Sequence, residues 1–341
     1  MMNATIKDIA RLSGVGISTV SRVLNGSGSA SKETKERVME AVRELNYVPN
    51  GNARNLKMRQ TSKIMVLVKS IDNPFLQKIV HEMQSLIFLR GYTMDIRNVS
   101  NFEDEMKIAK EEVRAGNPCG IIMIGGTYGY TNEDFGSLGV PCVLVTFEAC
   151  SAVDRGLYSS VTIDDVAEMK RATEYMIALG HRRIGCIYSN NSDGETPNTL
   201  RLQGYKQALE EHGIAYDPGL VSQRTDMWGS GYVFGFNMMK ILMANNPDMT
   251  AVVTIADVMA IGAAKAILTS GRRIPEDISV IGFDGIEVAE YYSPALDTIA
   301  QPAQQMAQYA IDAMIQMLQN RKTSHIVLES SLVRRGSSMK V

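Results

Sequence analysis

The chain has little with which to bind a metal or to cross-link itself. Its four cysteines, Cys119, Cys142, Cys150 and Cys186, form no C-x-x-C pair, and its four histidines, His81, His181, His212 and His325, include no pair at i, i+4. No metal site is expected, and the thiols read as reduced groups of a cytoplasmic protein. No apolar run approaches the length of a membrane span and no charged-then-apolar leader opens the sequence, so neither membrane insertion nor export is expected. Neither G-x-S-x-G nor G-x-x-x-x-G-K occurs. That removes two common routes to catalysis on an α/β scaffold, and neither catalytic residues nor a cofactor are expected.

What is present is a charge asymmetry. Residues 1–61 carry ten Lys and Arg against five Asp and Glu, while the other 280 residues carry 25 against 32. A basic N-terminal module on an acidic body is the footprint of a nucleic-acid binder whose larger part does something else. A length of 341 residues suggests two or three domains. The 21 methionines fall mainly in helical apolar stripes and read as core filler.

The basic module is organised around TIKDIARLSGVGISTVSRVLN, residues 5–25. Ile6, Ile9 and Ala10 share one face of a first helix, and Val20, Val23 and Leu24 one face of a second, with Gly14 in the turn between. This spacing predicts a helix-turn-helix, opened by a capping box of Thr5 and Asp8. The second helix would enter the major groove. Ile17, Ser18 and Arg22 are then the base-reading candidates: a thymine methyl contact, a hydroxyl for several bases, and a fork for guanine O6 and N7. Thr19, Ser21 and Asn25 are short polar groups suited to phosphate oxygens. Ser31 is a good N-cap for a third helix, Lys32–Asn46, with Val38, Met39, Val42 and Leu45 at helical spacing. Residues 47–63 read as a linker by composition. Ala53, Leu56 and Lys57 can share a short helical face, so Leu56 is either a wedge for the minor groove or an ordinary linker residue.

From Lys63 onward, short apolar runs such as IMVLV, GIIMIGG, AVVTI and ISVIGFD alternate with helical patterns of 12–16 residues. This is the signature of parallel, doubly wound sheets, and the length calls for two of them. The run VLESSLVRR, residues 327–335, reads as one closing strand.

Six motifs in order then carry a resemblance: the headpiece sequence above, YVPN-x-x-AR-x-L, NPF at 73–75, LGHRRIG at 179–185, RLQGY at 201–205 and IPEDISVIGFD at 274–284. The chain resembles the lactose-repressor and galactose-repressor family of bacterial transcription regulators over essentially its full length. The resemblance implies a small all-α headpiece (1–48), a hinge (49–61) and a core (62–341) of two doubly wound parallel-sheet subdomains like periplasmic sugar-binding proteins. The subdomains would comprise about 62–159 with 292–320, and about 160–291 with 321–341, the chain crossing near Ser159, Tyr291 and Asn320. It further implies a homodimer on palindromic double-stranded operator DNA, with Leu56 inserted at a minor-groove step and Asn50, Ala53 and Arg54 supporting the hinge. Ser31 and Thr34 stand at family positions near phosphates, and Thr5 joins them as a phosphate candidate. Gly16 departs from the serine usual at the start of the recognition helix.

The same resemblance implies an effector cleft between the subdomains. Its candidates are Asn73, Phe75, Arg201, Trp228, Asp257, Asp284 and Gln301. Asp284 can accept two sugar hydroxyls, Arg201 offers a planar donor fork, and Trp228 or Phe75 an apolar face. Each has a plainer reading beside it: Trp228 as core, Asp284 as the cap of a turn, Asp257 as the N-cap of helix 258–270. Ala256 replaces a polar residue common in sugar-responsive members, and residues 192–198 lack the second arginine of purine-responsive ones. A carbohydrate effector is expected, with a purine or nucleoside as the alternative, and a solute-binding module without transcriptional role behind both.

Overall fold

The computed structural model describes residues 6–24, 31–45, 62–100, 103–116, 118–127, 129–189, 195–222 and 231–341. The chain divides into two units, residues 1–59 and 60–341.

The first unit contains α1 (Ile6–Ser13), α2 (Ile17–Leu24) and α3 (Lys32–Glu44). Ile9, Val20, Val38 and Ala41 are buried together, with Ala10, Val15, Val23, Val42 and Leu45 packed around them. Met39, placed on the core face by sequence spacing, is instead 44% exposed. Ala41 takes the third-helix core position beside Val38, because a three-helix unit this small has room for only a narrow stripe.

The second unit holds two six-stranded sheets. In the first subdomain, β1 (Lys63–Lys69), α4 (Pro74–Leu89), β2 (Thr93–Val99), α5 (Glu105–Gly116), β3 (Gly120–Ile124), α6 (Asn132–Leu138), β4 (Cys142–Val145) and β5 (Ser159–Ile163) follow one another. The second is built from α7 (Asp165–Ala178), β6 (Ile184–Ile187), α8 (Pro197–Glu211), β7 (Val221–Ser222), α9 (Tyr232–Asn245), β8 (Ala251–Thr254), α10 (Asp257–Thr269), β9 (Ser279–Asp284), α11 (Val288–Tyr291) and β10 (Asp297–Ala300). The chain then returns through α12 (Ala303–Asn320) and β11 (His325–Leu328) to the first, and ends with β12 (Ser331–Val333) in the second.

The sheet orders are β11-β5-β4-β3-β1-β2 and β12-β10-β9-β8-β6-β7, and every pairing is parallel except β10 with β12. Parallel strands covered on both faces must be apolar throughout, which is why β3, β4, β8 and β9 are buried along their whole length. Alternation still sorts their side chains. Ile64, Val66 and Val68 of β1 face α4 and α12, while Met65 and Leu67 face the cluster containing Met106, Phe135 and Leu138.

The crossings lie at Asp164, at Gln301–Pro302 and at Glu329–Ser330. Each falls several residues beyond the positions near Ser159, Tyr291 and Asn320 expected from the sequence. Residues 160–163 and 321–328 therefore belong to the first subdomain, and 292–300 to the second. The reason is pairing: β5 and β11 complete the first sheet and β10 lies beside β9 in the other. The closing apolar run is accordingly two strands in different sheets. Among the described residues no helix is long and apolar enough to cross a membrane.

Candidate functional site

In the headpiece, Gly14 adopts a positive φ of 67° between α1 and α2, the conformation a glycine reaches without steric penalty. The Gly16 carbonyl accepts from the Thr19 and Val20 amides at 2.8 and 3.0 Å, so the backbone alone starts α2 where the family usually has a serine. With Val20 fully buried, the N-terminal turn of α2 faces outward: Ile17 is 46% exposed and Thr19 half-buried. An apolar side chain held in solvent at that position fits contact with a base edge. Ser18, Ser21 and Arg22 lie on the same helix. Ser31 caps α3, its Oγ accepting from the Thr34 amide at 3.2 Å and lying 2.8 Å from the Thr34 hydroxyl. Two hydroxyls at a helix N-terminus suit a phosphate. Thr5, Asn25, Asn50, Ala53, Arg54, Leu56 and Trp228 lie outside the described residues, and with Thr5 the expected capping box; Asp8 accepts from Arg11 at 2.8 Å.

In the core, a cavity of about 170 Å³ opens between the subdomains. It lies at the C-terminal ends of strands, where doubly wound folds bind ligands. The strand ends turn sharply: Ser70, Gly125 and Thr146, following β1, β3 and β4, have φ of 62°, 74° and 72°, and Asp284 at the end of β9 has 118°. Three of these four are not glycine. Such backbone costs about 1–3 kcal/mol per residue and is held only where the surroundings dictate it.

Five of the seven expected residues line this cavity: Asn73, Phe75, Arg201, Asp284 and Gln301. Asn73 caps α4, its Oδ1 accepting from the Phe75 amide at 2.9 Å; Pro74 at the first helical position fixes that start. Its Nδ2 reaches across the cleft to Asp284 Oδ2 at 3.4 Å. Gln301, on the crossing after β10, donates from Nε2 to Asp284 Oδ1 at 2.8 Å. One carboxylate of the second subdomain is thus held by the first subdomain and by a connecting strand. Arg201 donates from Nε to Asp165 Oδ1 at 2.7 Å and from Nη1 to the Ile255 carbonyl at 2.6 Å, stacks 3.8 Å from the Phe283 ring centre, and lies 3.7 Å from Asp284. Burial pushes the Asp284 carboxyl up to about 6 against the pull of Arg201, and burial likewise raises Asp165.

Asp257 does not reach the cavity. It is 0% exposed, and its oxygens accept from the Gly285 and Ile286 amides at 2.7 and 2.8 Å and from the Thr298 hydroxyl at 2.6 Å. It is the first residue of α10, with Ala256 as the cap. The carboxylate clamps β8, the turn after β9, and β10 together. Burial, reinforced by Asp284, raises it to about 7. A Cβ on Gly282 would collide with it, which explains that glycine in β9.

Ala256, noted in the sequence, lies in the cavity wall, and so do Lys69, Thr127, Thr146 and Asn198, which the sequence reading did not single out. Lys69 donates to Glu105 at 2.8 Å, and Glu105 also accepts from Tyr130 OH at 2.5 Å and the Thr127 amide at 3.1 Å. Asn198, in the first turn of α8, donates to the Ser189 carbonyl. The signal for them was positional, since all lie at or just after strand C-termini or open helices.

Comparison with known proteins matches residues 5–50 to the description "Bacterial regulatory proteins, lacI family" and residues 173–338 to "Periplasmic binding protein-like domain". The chain is 35% identical over 339 residues to the HTH-type transcriptional regulator MalR of Clostridium butyricum, covering 98% of this chain and 99% of that one. The chain belongs to the lacI family. This lacI-family repressor is also 33% identical to the ribose operon repressor of Haemophilus influenzae (98% of each chain) and 30% to the repressor PurR of Histophilus somni (96% of each). Among solved structures it resembles the Lac repressor dimer bound to operator and the anti-inducer ONPF, with TM-score 0.76 and 27% identity over 99% of this chain and 100% of that one. It also resembles the CelR–cellobiose complex, with TM-score 0.71 and 29% identity over 98% and 100%. As a lacI-family member it is a DNA-binding transcriptional regulator with a small-molecule effector, not an enzyme.

Proposed function

We propose that this protein is a carbohydrate-responsive repressor that binds a palindromic operator as a homodimer. The observation that carries the effector reading is Asp284, a buried carboxylate at the mouth of a cleft, held by Asn73 from the facing subdomain and by Gln301 from a crossing strand. A carboxylate in that position accepts two hydroxyls at once, and the arginine fork beside it holds the wall rigid. Phe75 supplies an apolar surface for a sugar ring. Support comes from the solved CelR–cellobiose complex and from the relative named as a ribose operon repressor.

The mechanism rests on two core states. A ligand inserted between Asn73 and Asp284 exchanges a contact between the subdomains for contacts with itself. If it prefers one degree of closure, it shifts the population of that state, and linkage carries the same free energy to the operator. On the DNA side Ile17, Ser18 and Arg22 read bases, and Thr5, Thr19, Ser21, Asn25, Ser31 and Thr34 take phosphates. Leu56 wedges into the minor groove with Asn50, Ala53 and Arg54 supporting the hinge. The Lac repressor dimer on operator supports the homodimer.

The test is operator selection from a palindromic library by the purified protein at fixed salt, repeated with sugars and nucleobases. A palindrome whose affinity shifts with one sugar supports the proposal. A response to nucleobases alone replaces the carbohydrate with a purine, and no response to any ligand removes the effector role from this cleft.

A further inference from the structure

Asp257 lies behind the cleft, yet what it holds is the turn that carries Asp284. The last rung of β9 with β10 pairs Asp284 with Ala300, and the Gln301 amide donates to the Asp284 carbonyl at 3.0 Å. There the backbone leaves the extended region, with φ of 118° at Asp284 and 75° at Gly285. Glycine adopts such values freely, whereas an aspartate does so only under constraint. Rotation about N–Cα carries Cβ with it, so this φ also decides where the Asp284 side chain points. In the observed conformation its oxygens accept from Gln301 Nε2 at 2.8 Å and, across the cleft, from Asn73 Nδ2 at 3.4 Å.

The constraint comes from the next two peptide groups. The amides of Gly285 and Ile286 both donate to Asp257 Oδ2, at 2.7 and 2.8 Å, so one carboxylate oxygen fixes the chain direction immediately after Asp284. Oδ1 accepts from the Thr298 hydroxyl at 2.6 Å, and Thr298 is the β10 residue paired with Gly282. To reach it the carboxylate passes over Gly282, where an added Cβ would stand 2.0 Å from Oδ1. From a fully buried position Asp257 thus ties the strand before Asp284 to the turn after it. None of these three donors belongs to α10, the helix that Asp257 opens, so helix capping does not account for the residue.

We infer that Asp257 is a positioning residue for effector binding: it holds Asp284 in a strained backbone conformation that aims the carboxylate into the cleft. The inference rests on Asp284 as the group that takes the effector. Without the Asp257 carboxylate the turn relaxes, the competent orientation becomes a minor population, and apparent affinity falls by that fraction. The strain of a non-glycine residue at such a φ corresponds to about tenfold to a hundredfold in an equilibrium constant. Asparagine can serve in place of the aspartate, its oxygen accepting the two amides and its Nδ2 donating to the Thr298 oxygen.

The experiment is calorimetric titration of the full chain with ribose, glucose, maltose, cellobiose, adenine and hypoxanthine at about pH 8, where Asp257 and Asp284 have released their protons. The tightest binder of that panel is then titrated into Asp257→Ala, Asp257→Asn, Thr298→Val and Asp284→Ala, each with its denaturation midpoint measured alongside. Asp257→Ala should bind about tenfold to a hundredfold more weakly, and Asp257→Asn within about threefold of the unaltered protein. Thr298→Val loses a buried hydroxyl but keeps both amide bonds, so it should be destabilised and still bind within about threefold. That split separates positioning from a loss of stability alone. If Asp257→Ala does not fold, Asp257→Glu takes its place: it keeps the charge, displaces the two amides by a methylene, and should bind at least about tenfold more weakly. A crystal structure of the weakened variant should show Asp284 at a negative φ and parted from Asn73. Unchanged affinity in Asp257→Ala, with Asp284→Ala no longer binding, overturns the inference and leaves Asp284 as the effector group. Asp257→Asn as weak as Asp257→Ala, or a loss in Thr298→Val that matches it, also overturns the inference. Full affinity in Asp284→Ala, or a panel in which nothing binds, removes the effector reading of Asp284 and the inference with it.

Discussion

Effector affinity should fall as the solution is acidified through the titration of Asp284. Its carboxyl is raised to about 6, chiefly by burial, in a cleft where its two oxygens accept from Gln301 Nε2 and Asn73 Nδ2. Ligand hydroxyls donate to the ionised form, so a proton competes with the ligand and binding lowers the carboxyl's pKa. If only the ionised form binds, the apparent dissociation constant scales with one plus the ratio of proton concentration to the acid constant. Between about pH 8 and about pH 5 that amounts to about a tenfold loss of affinity, approaching tenfold per unit on the acid side. Calorimetry across this range measures it, and repeating the titration near pH 6 in buffers of different ionisation enthalpy measures the proton released on binding. Asp284→Asn, which keeps one acceptor, should bind more weakly but without this pH dependence. Affinity that holds constant or rises on acidification, or a variant that retains the slope, would refute the assignment.

The ligand-free core should behave oppositely. Asp284 and Asp257, raised to about 6 and about 7, hold protons in the folded state that the unfolded chain has already released, so stability falls as pH rises from about 5 to 8. Denaturant titrations should register a loss on the order of 2–4 kcal/mol, reduced in Asp257→Asn; increasing stability over that window would contradict it. Arg201→Ala strands the buried Asp165 and should cost about 3–5 kcal/mol in the same assay, and Arg201→Lys should restore little because one ammonium cannot serve Asp165 and the Ile255 carbonyl together. Gly285→Ala places a Cβ 2.5 Å from that of Ala300 at a φ of 75° and should destabilise by about 2–4 kcal/mol; a neutral effect would mean the turn after β9 is not fixed as described. Ser31→Ala should cost the headpiece about 1 kcal/mol, read from amide exchange in α3, with ligand binding by the core unchanged.

The longer strands and helices were legible in the sequence because their pattern outlasts its ambiguity: β9 is buried over all six residues, and α12 repeats its apolar stripe over 18. The places that misled are places where one residue serves two sheets or two roles. VLESSLVRR reads as one strand since nothing between Leu328 and Ser331 breaks an extended pattern, yet β11 and β12 pair in different sheets. Asp257 opens a helix at a strand end just as a ligand residue would; only the three donors around it show that its acceptor capacity is used internally. Met39 fits the helical period and still faces outward. Ser70 and Thr146 carried no signal at all, because a left-handed backbone at a serine or threonine is imposed by tertiary context. Asn73, by contrast, was reached through the resemblance carried by the NPF motif, and the structure shows it capping α4 at the end of β1.

The threefold crossing has a consequence for synthesis. The face of the first sheet formed by Ile122, Val143 and Val145 is covered by Met306, Ala310, Ile311 and Met314 of α12, and its edge is closed by β11, all of which follow the entire second subdomain in the chain. While the ribosome is making residues 164–302, the earlier sheet therefore stands with an apolar face and an unpaired edge exposed. The second sheet in turn waits for β12, two residues past the last crossing. Apolar surface and strand edges therefore stay open to aggregation through most of translation: a chain ending before β11 lacks a strand of each sheet, and one ending between β11 and β12 lacks only the last strand of the second.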